Sequence, residues 1–569
     1  MNKNQEIAEI FEKIADALEF KGENLFRVNA YRKAARVLSE LPEDIEELWK
    51  NGKLEEIPGI GKGMAEKIEE YLKTGKMKKY EEAISGIPDG LLELLNIPNL
   101  GPKTLSLAYK KLNVKNLDDL KRVIEDGSLA KLSRMGEKKV ENIKKGIQLY
   151  EEGTSRIPLG IALPIVEEII NSLKNLTEKI APAGSLRRMK ETVGDIDILA
   201  TGKDHKKIIE KFTSLPMVKD VLAKGETKAS VIVKQHNLQV DLRVIDKGCY
   251  GAALQYFTGS KAHNIKLRGM AKEKGLKISE YGVFKGDKKI AGETEEEVYE
   301  VLGLKWIPPE LREDRGEVEA ALKDELPVLV KKEDIKGDFH VHSKYSDGVD
   351  DIRKIAEFAK KLGYHYIGIC DHSKTSKIAG GLDEDALKRR NEEIDRINEE
   401  IKGIKVLKGM EVDILQDGSL DYPDKILEEL DFVIAAIHQG FKKNVTERIK
   451  KAMENPFVDI IAHPTGRLLS GREGYEVRIE EIMEYAAEMG VALEINAYFD
   501  RLDLNDINVL KAKKMGIKLA IGTDAHNVGM LRYMDLGIGV ARRGWLEKEN
   551  LLNTYEWEDV PLRRRRTKK

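Results

Sequence analysis

Two carboxylates near the middle of the chain have the spacing of a metal site. In the stretch 194–199, acidic and apolar residues alternate as they do in a β-strand, so Asp195 and Asp197 should project from the same face. Two carboxylates held this close together favour a bound cation. An isolated Asp-x-Asp pair, however, is usually a solvated turn or strand end.

The residues just upstream point to phosphate. Gly184 and Ser185 are expected to open a loop whose backbone N–H groups and hydroxyl hold phosphate oxygens, and Arg187 and Arg188 add positive charge. A phosphate grip beside paired metal carboxylates indicates phosphoryl or nucleotidyl transfer.

A third carboxylate is expected from the stretch 238–245. Apolar and polar residues alternate there, and the polar face consists of Gln239, Asp241 and Arg243. A neighbouring strand would therefore deliver Asp241 to the first two aspartates.

The C-terminal part of the chain carries a second set of candidate ligands. Seven apolar stretches are predicted strands: 338–342, 366–371, 405–412, 432–438, 458–463, 492–496 and 518–523. Helical stretches separate them, which is typical of a β/α barrel with its chemistry at the strands' C-terminal ends. Acids and histidines lie at or just past these ends: His340, His342, Asp347, His372, Glu411, His438, His463, Asp524 and His526.

This set predicts a metal centre. One histidine at a strand end is usually structural, but six of the chain's ten histidines occupy these positions. The mixed nitrogen and oxygen donors suit Zn²⁺, Mn²⁺ or Fe²⁺ better than an all-oxygen Mg²⁺ site. A carboxylate that bridges two such ions would help to generate hydroxide that attacks a phosphodiester. Lys374, Arg467 and Arg472 are basic candidates for phosphate contact.

Composition limits the classes of protein that remain. The 569 residues suffice for several domains, and the net charge of −2 requires any basic surface to be local. Two distant cysteines, Cys249 and Cys370, exclude a disulfide framework and favour a reducing cytoplasm. We expect neither a signal peptide nor a membrane span, because no apolar run is long enough.

The first 150 residues are predicted to form short helices that contain a repeat. The stretches 57–61 and 97–101 each precede a Lys-bearing helix, and 133–139 is a weaker copy. Such a turn is either an ordinary interhelical connection or a helix-hairpin-helix element that offers backbone N–H groups to a DNA phosphate, and the repetition favours DNA. The glycines concerned are Gly59, Gly61, Gly101 and Gly136.

Up to about residue 310 the chain resembles the family X DNA polymerases, the group of DNA polymerase beta. The resemblance covers Ala30-Tyr31-Arg32-Lys33-Ala34-Ala35, both good hairpins, Gly-Ser-x-x-Arg with Gly-Asp-x-Asp, the third aspartate, and Tyr-Phe-Thr-Gly-Ser. It implies that Asp195 and Asp197 hold two ions, Mg²⁺ or Mn²⁺, and that Asp241 holds the one near the primer 3′-hydroxyl.

The resemblance also implies a nucleotide site. Ser185, Arg188 and Gly194 would contact the triphosphate, Tyr256 and Phe257 would lie near the sugar, and Asn264 and Arg268 near the nascent pair. Gly184 and Gly259 would be further nucleotide-binding residues. The stretch 256–264 by itself predicts only a strand-to-helix turn. Gln239 and Lys261 depart from the vertebrate pattern, which has an arginine and an acid there.

Lys67 matches the lysine that forms the Schiff base in the family's deoxyribose-phosphate lyase. Arg27, however, replaces a lysine of that pocket. A lysine nucleophile needs a lowered pKa, so lyase chemistry and a plain solvated helix lysine both stay open.

The C-terminal segment resembles the PHP domain, named for polymerase and histidinol phosphatase, with all nine ligand positions filled. The resemblance implies up to three ions. Their ligand sets would be His340, His342, Glu411 and Asp524; Glu411, His438 and His463; and Asp347, His372 and His526.

We therefore predict a multidomain α/β protein. Its parts are a helical helix-hairpin-helix domain with a lyase-like portion (1–153), a nucleotidyltransferase palm (154–255), an α/β thumb (256–310), a linker (311–333) and a distorted (β/α)7 PHP barrel (334–569). The expected function is filling of short gaps in base-excision repair by a monomer that uses gapped or nicked duplex DNA and dNTPs, with 3′–5′ exonuclease activity in the barrel. Cleavage at abasic sites stays open, as do two alternatives: a phosphatase of small molecules localised by DNA contacts, and a non-catalytic gap-binding scaffold.

Overall fold

The computed structural model describes residues 3–563 apart from 40, 42–44, 58, 89, 98–99, 134, 152–155 and 472–473. The predicted hairpin residues Pro58, Pro98, Asn99 and Arg134, the predicted boundary at 153/154 and Arg472 lie outside the described residues. The chain divides into two compact units, residues 1–155 with 470–472 and the remainder.

The first unit is helical in its described residues, which confirms the prediction. Buried apolar side chains recur at helical spacing in its first helix, as at Ile7, Phe11 and Ile14. The helices are α1 (Lys3–Lys21), α2 (Leu25–Ser39), α3 (Ile45–Lys50), α4 (Lys62–Thr74), α5 (Lys78–Ile84), α6 (Pro102–Leu112), α7 (Leu117–Glu125) and α8 (Glu137–Glu151).

The palm contains a five-stranded sheet in the order β2-β4-β7-β6-β5. The elements of this part are β1 (Ile157–Pro158), α9 (Leu159–Leu173), β2 (Lys179–Pro182), α10 (Gly184–Arg187), β3 (Thr192–Val193), β4 (Asp195–Thr201), α11 (His205–Thr213), β5 (Val218–Lys224), β6 (Lys228–Val233) and β7 (Gln239–Val244). Helix α9 begins at Leu159 and contains Pro164 in its interior, where the proline ring has no N–H to donate to the preceding turn. The predicted loop at Gly184 is a short helix instead, in which the Arg187 N–H donates to the Ala183 carbonyl.

The thumb follows with α12 (Tyr250–Thr258), α13 (Lys261–Glu273), β8 (Lys277–Ser279), β9 (Gly282–Lys285), β10 (Lys288–Ala291), α14 (Glu295–Val301) and α15 (Glu317–Lys323). The strand-to-helix turn expected before Gly259 is wrong, since α12 is a buried helix and the turn joins two helices. Residues of the predicted linker 311–333 pack into the thumb's core, among them Leu311, Val318 and Leu329.

The barrel has seven parallel strands, one of which bends in the middle. Its elements are β11 (Gly337–Val341), α16 (Ile352–Lys361), β12 (Tyr366–Ile369), α17 (Glu384–Glu400), β13 (Lys405–Lys408), β14 (Glu411–Asp413), α18 (Asp424–Glu428), β15 (Ile434–Ala436), α19 (Val445–Glu454), β16 (Ile460–Ile461), α20 (Ile479–Met489), β17 (Ala492–Asn496), α21 (Asp506–Lys514), β18 (Leu519–Gly522) and α22 (Met534–Arg543). Strands β13 and β14 are the two halves of the bent third strand. Bridges from Val341 to Ala525 and from His372 to Glu411 connect the two sheets, so the predicted (β/α)7 barrel is confirmed.

Palm and barrel share one apolar core within the second unit. A Cβ atom at Gly160 of the palm would lie 2.5 Å from Cβ of Phe499 in the barrel, and one at Gly539 would lie 2.6 Å from Cε of Met189. Only glycine permits so close an approach of these elements. Among the described helices of the whole chain, none has the length and apolar character to cross a membrane.

Candidate catalytic centres

Three aspartates meet at one end of the palm sheet. Strands β4 and β7 are parallel neighbours, and Asp197 lies directly opposite Asp241 in their register. Asp195 lies two residues before Asp197 on the same face, while Ile196 and Val240 point into the core. Ser230 of β6 faces Asp241 from the other side. The strand pairing therefore brings the three predicted carboxylates together.

Their mutual repulsion shows in their protonation. Burial, together with the charges of Asp195 and Asp241, raises the pKa of Asp197 to about 6. Burial and Asp241 raise the pKa of Asp195 as well. Although burial opposes its ionisation, hydrogen bonds from Ser230 and Gln239 and the charge of Lys228 hold the pKa of Asp241 below its usual value. A divalent cation would relieve this repulsion, and an all-oxygen donor set suits Mg²⁺ or Mn²⁺.

Gly184 determines how closely the start of helix α10 approaches the carboxylates. Its φ of +59° is left-handed, and a Cβ atom there would lie 2.6 Å from Oδ2 of Asp197. Ser185 and Arg188 follow on the short helix α10 and its C-terminal end. The start of α10 therefore approaches Asp197 closely because residue 184 has no side chain.

We expect Gly184→Ala to destabilise the palm by about 1–3 kcal/mol, since alanine adds both a left-handed backbone penalty and a clash. Primer extension should fall with it, because the clash displaces Asp197. Urea unfolding and extension assays measure the two effects. For stability alone, Gly194→Ala is the matched control, because a Cβ there would meet Nη1 of Arg156 at an ordinary 3.6 Å. Equal stability of the two variants would contradict the prediction.

The predicted sugar and base contacts lie around the α12–α13 turn. A Cβ atom at Gly259, whose φ is +69°, would meet Nη1 of Arg188 at 3.3 Å. The Phe257 ring packs under the guanidinium of Arg243, 4.5 Å from its Cζ. Asn264 donates to the Tyr256 carbonyl (2.7 Å), and Arg268 donates from Nε to the Asn264 carbonyl (3.4 Å). These residues form one neighbourhood, in which the Asn264 side chain is held by its own turn.

In the first unit, two of the hairpin glycines begin helices. Gly61 and Gly101 precede α4 and α6 in extended conformation, and no side chain caps either helix. Gly59 is left-handed (φ +92°), and the Gly136 carbonyl accepts from the Val140 N–H in the first turn of α8. Uncapped helix starts leave N–H groups for a phosphate. Lys67 lies on α4, where its Nζ donates to the Gly63 carbonyl at 2.5 Å.

All nine candidate ligands of the barrel converge at the strands' C-terminal ends. Among the described residues, their donor atoms form three overlapping groups: His340, His342 and Asp524; His372, Glu411 and His438; and His342, Asp347, His372 and His526. His463 joins through Glu411, with Nε2 3.0 Å from Oε1. Glu411 also lies 3.3 Å from His438 and 3.6 Å from His340. It is therefore central, as expected of a bridging carboxylate.

Unsatisfied buried atoms show that this cluster fits metal ions. Among the described residues, Nδ1 of His342, Nδ1 of His372 and Oε2 of Glu411 are buried without a hydrogen-bond partner. The last two lie 2.8 Å apart, facing each other without hydrogen-bond geometry. Buried polar atoms normally have partners. Donor atoms that converge in this way are ligands for a cation that they can share.

Protonation differs among the ligands in the absence of a cation. Burial and the neighbouring His526 and His372 lower the pKa of His342 to about 4, so its imidazole is neutral at pH 7. Burial opposes the charge of His438, but Glu411 and Asp413 raise its pKa to about 9. Metal binding at His438 therefore releases a proton, whereas binding at His342 does not.

Two carboxylates that sequence reasoning missed orient the ligands from behind. Glu494 lies 2.6 Å from Nδ1 of His340 and accepts from the His463 N–H at 2.6 Å. Asp413 lies 2.5 Å from Nδ1 of His438. Such partners fix the tautomer of a metal-binding histidine. The available signals were Glu494 within a predicted strand and Asp413 two residues after Glu411, on the same face of β14.

The basic candidates of the barrel have other partners. Arg467 donates to Glu191 of the palm (2.7 Å) and to the Leu502 carbonyl, so it joins the two domains. Lys374 lies over the Tyr422 ring at 5.5 Å. Arg501, which the sequence did not single out, lies 3.5 Å from Asp524 with its Nη1 buried and unpartnered among the described residues. Arg501 is therefore a positively charged side chain beside the ligand cluster that was found only in the structure.

Family models match four parts of the chain. They are described as a helix-hairpin-helix domain (residues 2–77), a SAM-like helix-hairpin-helix tandem (91–148), the DNA polymerase beta thumb (253–313) and the PHP domain (338–498). Fold, carboxylates and histidine cluster together define a nucleotidyltransferase joined to a metal-dependent phosphoesterase barrel.

The chain belongs to the family X DNA polymerases that carry a PHP domain. It is 41% identical over 567 residues to the DNA polymerase/3′-5′ exonuclease PolX of Bacillus subtilis, a match that covers 98% of each protein. A probable phosphatase of Thermoanaerobacter sp. is 35% identical over 170 residues, 27% of this chain and 66% of that protein. DNA polymerase lambda of Arabidopsis thaliana is 27% identical over 354 residues, 54% of this chain and 62% of that protein.

Proposed function

We propose that this protein is a DNA-directed DNA polymerase with a metal-dependent 3′–5′ exonuclease in its barrel, and that it fills short gaps during base-excision repair. The observation that carries the proposal is the register of β4 and β7, which sets Asp197 opposite Asp241 in a chain 41% identical to a polymerase/exonuclease. The test is extension of a primer across a gap in duplex DNA with dNTPs. Gap binding without nucleotide addition would favour the scaffold alternative.

In the polymerase centre, the three aspartates would hold two ions, Mg²⁺ or Mn²⁺. Bound ions lower the pKa of the attacking hydroxyl and neutralise charge on the phosphates. The register of β4 and β7 would let Asp195 and Asp197 hold both ions and Asp241 the one near the primer 3′-hydroxyl. Ser185, Arg188 and Gly194 would bind the triphosphate, and Tyr256, Phe257 and Gly259 would face the sugar. Asn264 and Arg268 would lie by the nascent pair.

In the barrel, the nine ligands would hold up to three ions of Mn²⁺, Zn²⁺ or Fe²⁺. The mixed donor set and the unpartnered atoms of His342, His372 and Glu411 support this assignment. Bound ions of this kind supply hydroxide near neutral pH. The expected substrate is the phosphodiester at a DNA 3′ end, and abasic sites are a second substrate to test in the same assay.

Gapped duplex DNA and dNTPs are the proposed partners, with the uncapped helix starts at Gly61 and Gly101 supporting backbone contact. We propose a monomer in the cytoplasm. Cys249 and Cys370 are unpaired thiols, as a reducing compartment requires. For Lys67, trapping of a Schiff base with borohydride on abasic DNA decides between lyase chemistry and a plain helix lysine.

A phosphatase of small molecules is the second candidate, because the chain is 35% identical to a probable phosphatase over 170 residues. A screen for phosphate release without DNA separates the two functions. Release from small phosphate esters at rates well above those on DNA 3′ ends would favour the phosphatase.

We expect Asp413→Asn to weaken metal binding in the barrel by about 10–100-fold, because an amide accepts the Nδ1 proton of His438 less strongly than a carboxylate and so orients the ligating imidazole less well. The Mn²⁺ dependence of 3′-end degradation and the metal retained after dialysis measure the change. Asp417→Asn is the matched control, since exposed Asp417 accepts hydrogen bonds from Ser419 outside the ligand cluster. Wild-type metal retention by Asp413→Asn would refute the role of this carboxylate.

A further inference from the structure

One arginine of the barrel contacts the C-terminal end of helix α10 in the palm. Arg543 is the last residue of α22 and is only 3% exposed. Its Nη1 donates to the backbone carbonyl of Arg188 at 2.7 Å and to Oε1 of Glu313 at 2.9 Å. A residue of the barrel domain is therefore hydrogen-bonded to a residue of the predicted triphosphate site.

Glu313 accepts hydrogen bonds from both Arg543 and the Arg188 side chain. Nε of Arg188 donates to the same Oε1 atom at 3.0 Å, and its Nη1 donates to the Thr258 carbonyl at 2.5 Å. Although burial opposes its ionisation, Arg188 and Arg543 hold the pKa of Glu313 below its usual value. The guanidinium of Arg188 is thus oriented by a charged group that Arg543 holds in place.

Arg543 is itself fixed from within the barrel. Its Nη2 donates to Oδ2 of Asp506 at 2.7 Å, at the start of α21, and Arg315 donates to the same oxygen at 2.8 Å. Both ends of the Arg543 guanidinium are therefore occupied. Charge-assisted hydrogen bonds of this kind have defined directions, so Arg543 links the position of α21 to that of Arg188.

A cavity of about 340 Å³ is lined by Arg188, Arg315, Asp506 and Arg543, together with Ser185. Its cationic side chains outnumber its acidic ones: Arg156, Arg188, Lys190, Arg315 and Arg543 against Glu191 and Asp506. Burial, in spite of Glu313, lowers the pKa of Lys190, and the charges of Arg543 and Arg188 lower it further. Such a cavity favours a polyanion.

We infer that Arg543 is a positioning residue of the nucleotide site: by holding Glu313 and the Arg188 carbonyl, the barrel keeps Arg188 directed at the β- and γ-phosphates of the incoming dNTP. The inference rests on the proposed polymerase function and on the proposed role of Arg188. The barrel would then contribute to the affinity of the polymerase site for dNTP, in addition to its proposed activity on DNA 3′ ends.

The test measures gap filling by wild type, Arg188→Met, Arg543→Met and Arg542→Met. Methionine keeps a long apolar side chain but removes the guanidinium. Arg542 is the matched control, because it lies next to Arg543 on α22 and bonds Glu310 and the Val330 carbonyl instead. We expect the KM for dNTP to rise about tenfold or more in Arg188→Met and Arg543→Met, with a smaller change in kcat. Inhibition by inorganic pyrophosphate should weaken in parallel, and Arg542→Met should stay near wild type.

Three results would overturn the inference. A wild-type KM in Arg543→Met beside a raised KM in Arg188→Met rejects the role of Arg543 and leaves the polymerase proposal intact. An equal rise in Arg542→Met shows general loosening between domains. A wild-type KM in Arg188→Met removes the proposed role of Arg188, on which the inference rests.

Exonuclease activity of each preparation reports whether the barrel is folded. If Arg543→Met fails to fold, Arg543→Lys takes its place. One ammonium can bind Glu313 but does not reproduce the forked contacts to the Arg188 carbonyl and Asp506, so a raised KM is expected again. A wild-type KM in a folded Arg543→Lys variant would overturn the inference.

Discussion

Asp241→Ala is expected to lower primer extension on a gapped duplex about 1000-fold or more, because it removes one of three carboxylates that share the metal site. Asp241 is the residue of β7 that lies opposite Asp197 of the adjacent parallel strand β4. Its replacement therefore removes the carboxylate that β7 contributes to the cluster. Single-turnover extension in Mg²⁺ and in Mn²⁺ measures the loss. Weakened metal binding alone would be partly restored by a higher metal concentration.

Asp246→Ala is the matched control for this prediction. Asp246 is an exposed aspartate just beyond the end of β7, outside the carboxylate cluster. Its replacement should leave extension close to wild type. The 3′-end degradation by Asp241→Ala should persist, since the barrel's ligands are untouched. Extension at the wild-type rate in Asp241→Ala would contradict the proposal that the three aspartates form the polymerase centre.

His342→Ala is expected to abolish 3′-end degradation, with a loss of about 100-fold or more, while primer extension continues. His342 belongs to two of the three groups of candidate ligand atoms, so its loss is expected to weaken metal binding at both. Its pKa of about 4 keeps the imidazole neutral and ready to bind metal at pH 7. Degradation of a labelled 3′ end with Mn²⁺ measures the effect, and metal analysis shows whether ions are lost.

His365→Ala provides the control for the same kind of substitution in the same domain. His365 is exposed and pairs with Glu556 away from the ligand cluster. Because His342 is fully buried, thermal unfolding must confirm that the variant folds. Asp347→Asn, which changes a more exposed ligand, supplies a second test. Undiminished degradation by both variants would assign the barrel a structural role only.

Local patterns in the sequence predicted most of the fold. Alternation placed Asp195, Asp197 and Asp241 on strand faces, and apolar runs located the barrel's seven strands, because both depend on spacing between near neighbours. Elements without a strong local pattern were predicted less well. The helix α12 was missed beside the Gly259 turn, and the loop expected at Gly184 is the short helix α10.

The residue types at the strand ends, and therefore the candidate ligands and carboxylates, could be read from the sequence without a structure. Tertiary structure alone decided how they are supported. Glu494 contacts His340, which lies 154 residues away in the sequence, and Arg543 contacts Arg188, which lies 355 residues away. Contacts between such distant positions depend on how strands and domains pack, which no local spacing encodes. The candidate residues of both centres are therefore visible in the sequence, whereas the contact between the barrel and Arg188 is visible only in the fold.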